Sequence, residues 1–70
     1  MVDYTAYWRA DPPEGVHAWA NAHNLTATVG DGRPFSGMRS SVGFGELSED
    51  QAEEVRQQFK PDMESAIPML

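Results

Sequence analysis

Seventy residues with a net charge of −6 and no cysteine make one small domain that must hold itself together without disulfides, and without thiolate zinc sites or a Cys nucleophile. Eleven acids stand against four arginines and one lysine. That balance works against non-specific nucleic-acid binding, which needs cations to displace counterions, and suits solubility or attraction to a basic protein surface.

Residues 2–9 alternate, with Val2, Tyr4, Ala6 and Trp8 on one side and Asp3, Thr5, Tyr7 and Arg9 on the other. A period of two with aromatics predicts a half-buried strand. Asp11-Pro12-Pro13-Glu14 reads as a helix start, capped by Asp11 or Pro12, because proline needs no amide partner in a first helical turn. The helix beyond it gathers Val16, Trp19, Ala20 and His23 on one face, and Asn24 suits a left-handed cap at its end.

Leu25 to Val29 reads as a second strand, and Gly30-Asp31-Gly32-Arg33-Pro34 as a turn. A third strand is centred on Arg39 to Phe44 with Val42 and Phe44 inward, and its glycines suit a bulge. Ser48-Glu49-Asp50-Gln51 is a capping box that opens a helix running to about Phe59, since Pro61 restrains Lys60. Ala52, Val55 and Phe59 form its apolar stripe. Pro61 to Leu70 forms an apolar C-terminal tail, with one helical turn through Ala66 ended by Pro68.

The order predicts a small α+β domain over residues 1–70, β-α-β-β-α, with a three-stranded sheet and two helices packed on one face. It has no internal repeat. The first residues lack the basic start and apolar stretch of a secretion signal, and no apolar run approaches the roughly 20 residues that span a bilayer. The chain starts at Met and reads as a complete small gene product. Lack of cysteine places it in the cytoplasm, or in the host cytoplasm if it is viral.

Catalytic patterns are weak. His17 and His23 sit six residues apart, about 120° around a helix, so they cannot grip one ion from it. They read as a solvated and a hydrogen-bonded core histidine, and no metal ligand or cofactor is assigned. Gly32 to Ser40 faintly matches a phosphate-loop spacing, but Met38 stands where the lysine must be. Gly43-Phe44-Gly45 precedes a helix, yet Glu46, Glu49 and Asp50 would repel an anion there. Ser36, Ser40 and Ser41 have no partnered base, and there is no nucleophile elbow. The expectation is a protein that is not an enzyme.

The charge distribution says more. Glu46, Glu49, Asp50, Glu53 and Glu54 form a run without a base. Such a run is either a solvated, well-capped helix face or an acidic patch that docks a basic protein partner. Tyr7, on the polar side of the first strand, joins these five as a contact residue, because aromatics are enriched at interfaces. The leading expectation is therefore a small acidic protein-binding accessory protein of inhibitor or regulator type, a profile of size and charge shared with small viral inhibitors and antitoxin-like regulators. The alternative is a structural or assembly protein, a virion component or homo-oligomer, that uses the first strand as a pairing edge together with the apolar tail. Direct nucleic-acid binding through Arg9, Arg33 and Arg39 is the weakest of the three.

Overall fold

The computed structural model describes residues 1–31 and 35–69. The expectations that fall on Gly32, Arg33, Pro34 and Leu70 lie outside the described residues. The elements run β1 (Val2–Trp8), α1 (Val16–Ala22), β2 (Thr28–Gly30), β3 (Ser40–Leu47), α2 (Glu49–Phe59) and β4 (Met63–Pro68). The strands pair antiparallel in the order β2-β3-β1-β4. The class is α+β, as the patterning predicts, but the sheet has four strands where three were expected. The residues read as a tail with a helical turn form the fourth. This β-α-β-β-α-β order, with each helix bridging two strands separated by a third, is the split βαβ or ferredoxin-like topology.

The strand order corrects a second expectation. β1 lies between β3 and β4, so its backbone groups are engaged on both sides and it offers no pairing edge. The edges are β2 and β4. Val2, Tyr4, Ala6 and Trp8 of β1 point into a core shared with Val42, Phe44 and Leu47 of β3, Val16, Trp19 and Ala20 of α1, and Ala52, Val55 and Phe59 of α2. Trp19 ties the layers together, its ring edge-on to Phe44 at 5.7 Å and to Phe59 at 6.4 Å. Both helices therefore cover the same face of the sheet. Burying one such side chain contributes about 1.5–3 kcal/mol, so a chain this short depends on nearly all of them.

Local chemistry explains the boundaries. α1 does not begin at Asp11-Pro12-Pro13; its N-cap is Gly15, at φ 91°, and no side chain caps it. A residue in the left-handed region cannot continue a helix backward, so Asp11 to Glu14 become an approach segment. At the other end Asn24 takes φ 57°. Leu25 N–H donates to Ala20 O at 2.8 Å and Asn24 N–H to Asn21 O at 3.2 Å, which together form a Schellman cap. β2 is shorter than expected, and Leu25 and Ala27 pack on the core as part of the approach to it.

In β3 the register slips so that Phe44 and Gly45 together oppose Tyr4, with Gly45 at φ 74°. This bulge lets Val42, Phe44 and Leu47 all reach the core. α2 begins with the capping box read from the sequence: Ser48 Oγ accepts from Gln51 N–H at 3.1 Å, and Gln51 Oε1 accepts from Ser48 N–H at 2.9 Å. Lys60, at φ 47°, ends the helix ahead of Pro61.

Ser48→Ala removes one of the two capping bonds at the start of α2. The expected loss is about 1 kcal/mol, read as a melting midpoint lowered by roughly 4–8 °C for a domain of this size. An unchanged midpoint would show that α2 is held by packing alone.

Candidate protein-binding surface

The five acids of the 46–54 run separate by what they touch. Glu53 accepts from Gln57 Nε2 at 2.9 Å and lies 3.4 Å from Arg56 Nη1, and Glu54 lies 3.9 Å from His23 Nε2. Glu46, Glu49 and Asp50 are exposed and make no ion pair among the described residues. Glu49 and Asp50 occupy the first turn of α2, where the helix dipole favours them. Glu46 sits on β3 directly opposite Asp3 of β1, and Asp3 is also exposed and makes no ion pair among the described residues. Like charges facing each other across a strand pair destabilise it. The end of the molecule where β1 begins, β3 ends and α2 starts thus carries four outward carboxylates that make no ion pair among the described residues.

Tyr7 does not belong to that surface. It was expected to be exposed, but it is only 7% exposed, with its ring edge-on to Phe35 at 4.8 Å. The loop after residue 34 folds Phe35 over the face of the sheet that no helix covers, and Tyr7 is buried beneath it.

A second set of polar residues, which the sequence reading missed, links β1, α2 and β4. Glu64 Oε1 accepts from Tyr4 O–H at 2.8 Å and from Arg56 Nε at 2.7 Å, while its Oε2 accepts from Arg56 Nη2 at 2.9 Å. The guanidinium lies 5.7 Å from the centre of the Tyr4 ring, within cation–π range. The bidentate fork from Arg56 holds the Glu64 carboxyl below the usual carboxylate range. Burial, with the Glu64 carboxylate beside it, pushes the Tyr4 phenol well above its ordinary value. The hydrogen bond to Glu64 likewise raises the Arg56 guanidinium. The one signal in the sequence was a glutamate eight residues after an arginine across a proline turn, which is too common a spacing to single out.

The histidines take the roles read for them. His17 is exposed. His23 Nδ1–H donates to Trp19 O at 2.7 Å and its ring lies 4.2 Å from the Trp19 ring. Ser40 is buried and donates to Ala10 O at 2.6 Å. Arg39 reaches Asp11 at 3.5 Å on the surface. Among the described residues no three His, Cys, Asp or Glu gather as metal ligands, no pocket is enclosed, and no helix is long and apolar enough to cross a membrane. Compared with known proteins, the chain matches no family model, no curated protein and no solved structure.

The depressed Glu64 carboxyl makes a pH prediction. A carboxyl that ionises more readily when folded stabilises the fold above its unfolded pKa, about 4.3, and that contribution disappears as pH falls through its lower folded value. Glu64→Gln should therefore lower the melting midpoint at pH 7, and the gap from the unaltered protein should close on acidification below about pH 4. A gap that stays constant down to pH 2 would refute the role given to the Glu64 charge.

Proposed function

We propose that this is a small acidic protein-binding accessory protein, without catalytic activity and of inhibitor or regulator type, that docks a basic partner surface through the start of α2. The observation that carries this reading is the set of exposed carboxylates at Glu46, at the end of β3, and Glu49 and Asp50, in the capped first turn of α2, which make no ion pair among the described residues. Glu53 and Glu54 extend the surface along α2. Their contacts to Arg56, Gln57 and His23 are exposed or half-exposed, and pairs of that kind contribute little, so a partner's arginine or lysine can replace them. Concentrated negative charge speeds encounter with a basic surface and selects against acidic ones. The cysteine-free composition suits a reducing cytoplasm, which is the host's if the protein is viral.

The alternative reading is an assembly role through the tail. One observation favours it: β4 is an edge strand, and edge strands pair with other chains. The position of its proline weakens it. Met69 N–H donates to Met1 O, and with the register Val2↔Pro68 this places the bonds to β1 at the odd-numbered residues of β4. Glu64, Ala66 and Pro68 then direct their backbone outward, and Pro68 has no N–H to give.

The test is a charge-reversed variant, E46K/E49K/D50K, against the partner captured from native extract. Its binding at low salt should fall by at least about tenfold and its salt dependence should flatten. Glu14→Lys is the control, because Gly15 beside it lies against Phe59 at the far end of α2, and its effect should be small. Partner binding that the triple variant leaves unaltered at every salt concentration would end this reading.

A further inference from the structure

Among the described residues, the fold leaves five large apolar side chains exposed, and four of them belong to one surface. Met63 and Ile67 of β4 stand opposite Tyr7 and Asp3 of β1. The alternation puts them on the face away from the core, since the core takes Val2, Tyr4, Ala6 and Trp8. Met1 and Met69, joined by a backbone hydrogen bond, continue the same pattern beyond the strand ends. Met1 is 60% exposed and Ile67 is 58% exposed. Among the described residues no helix covers this face, and Phe35 covers only Tyr7, beside Met63. Between the large side chains the strand register sets a row of small residues, Ser65 beside Thr5 beside Gly43 beside Thr28.

We infer that this uncovered sheet face is the seat of a basic amphipathic helix from another protein, which lies along β4 with its apolar stripe on Met63, Ile67 and Met69 and its cations on Asp3 and Glu46. The inference rests on the protein-binding reading above and names the partner's form. A sheet face is completed by a helix or by another sheet. Met63 and Ile67 are four residues apart on a strand, about 13 Å, which matches two to two and a half turns of helix.

Charge decides between occupants. Ile67, Asp3 and Glu46 lie side by side across three strands, so whatever buries Ile67 meets two carboxylates that make no ion pair among the described residues. A second copy of this chain, itself at −6, would bring more negative charge to that place, whereas a basic helix would neutralise it. Addition of a strand at the β4 edge meets Pro68, so the face is the better seat than the edge. Thioether side chains adapt their shape to an incoming helix, which suits three methionines on such a surface.

The experiment uses the full chain with labelled methyl groups and backbone amides. It is titrated with a synthetic 18-residue peptide of leucine and lysine patterned as an amphipathic helix, and with the same composition scrambled so that no stripe forms. Patterned peptide should shift the methyl signals of Met63, Ile67 and Met69 and the amides of Thr5 and Tyr7. M63T/I67T, which keeps β-forming side chains in the strand, should bind it about tenfold more weakly with a melting curve close to that of the unaltered protein. I67T alone serves as the second variant if the pair melts early, and should lose part of the same affinity.

Equal binding of the scrambled peptide, or shifts confined to residues 49–54, would overturn the seat on the sheet while leaving the acidic α2 surface standing. A dimer in sedimentation that I67T dissolves would overturn it in favour of a second copy. Failure of the captured partner to respond to E49K/D50K, which leaves Glu46 and the sheet face unaltered, is a separate result and strikes the earlier reading alone.

Discussion

The register of β4, which turns the Glu64 carboxylate to the helix side, is the constraint on which the outer half of the sheet depends. Side chains on a strand alternate between faces, so sliding β4 by one residue would exchange its two faces completely. Apolar burial alone favours that slip, because it would turn Met63 and Ile67 toward the helices and Glu64 toward water. The observed register resists it through the hydrogen bonds from Tyr4 and Arg56 to Glu64, a partly exposed ion pair of the kind that contributes at most about 1 kcal/mol, and chiefly through the short link from α2. Lys60 turns the chain in the left-handed region, Asp62 N–H donates to Tyr7 O at 2.9 Å, and Asp62 Oδ2 accepts from Arg9 N–H at 2.8 Å. Three residues fixed at both ends leave no slack for a slip. Trp8 Nε1–H, which donates to Phe59 O at 2.9 Å, fixes the end of the helix from which that link departs.

This register produces a sheet with a polar clamp on its helix side and an exposed apolar stripe on the other, the reverse of the usual arrangement for a half-buried strand. It also sets the surface charge. Glu64 and Glu53 are engaged by Arg56, Asp62 by the backbone of Arg9, and Asp11 by Arg39, so the carboxylates with nearby donors are spread over α2, β4 and the loops. Of those that make no ion pair among the described residues, Asp3, Glu46, Glu49 and Asp50 fall together where three elements meet, while Glu14 stands apart ahead of α1. The acidity of the chain is thus partly structural and partly outward-facing, and the division tracks the fold, not the order of residues along the chain.

The same inversion explains which parts of the fold were legible in the sequence. Where a local rule and the tertiary need agree, the reading holds: the alternation of Val2 to Trp8, the Ser48–Gln51 box, the stripe of Ala52, Val55 and Phe59, and the left-handed turn at Asn24 are all present. Where they disagree, it fails. Met63 to Pro68 carries its large apolar residues outward and an acid on the helix side, so nothing in its pattern announced a strand. Without that strand, β1 looked like an edge although it is central. Tyr7 stood on the side of β1 that alternation assigns to water, and only the fold-back of Phe35, distant in sequence, covers it. For α1 the two prolines were a true signal of a rigid approach, but Gly15 chose a left-handed turn and moved the start of the helix. The acidic run was plain in the sequence; its division into paired and unpaired members needed Arg56, Gln57 and His23 in place.

Fold alone assigns no task, since this topology carries many unrelated ones. A stronger indication comes from places where a structure departs from what stability would select. Two departures coincide here. Asp3 and Glu46 face each other across the central strand pair, an arrangement that costs stability and that a lysine at either position would turn to gain. Beside them Met1, Ile67 and Met69 expose apolar surface that a polar residue would shed without loss to the core. Neither feature helps the chain to fold, and α2 shows that this sequence observes local rules elsewhere. Departures of this kind concentrate at functional surfaces. A cationic, apolar visitor would relieve both at once, since its charge would offset the paired carboxylates and its hydrocarbon would cover the stripe. That single complementarity is why the acidic end and the uncovered sheet are better understood as one surface than as two.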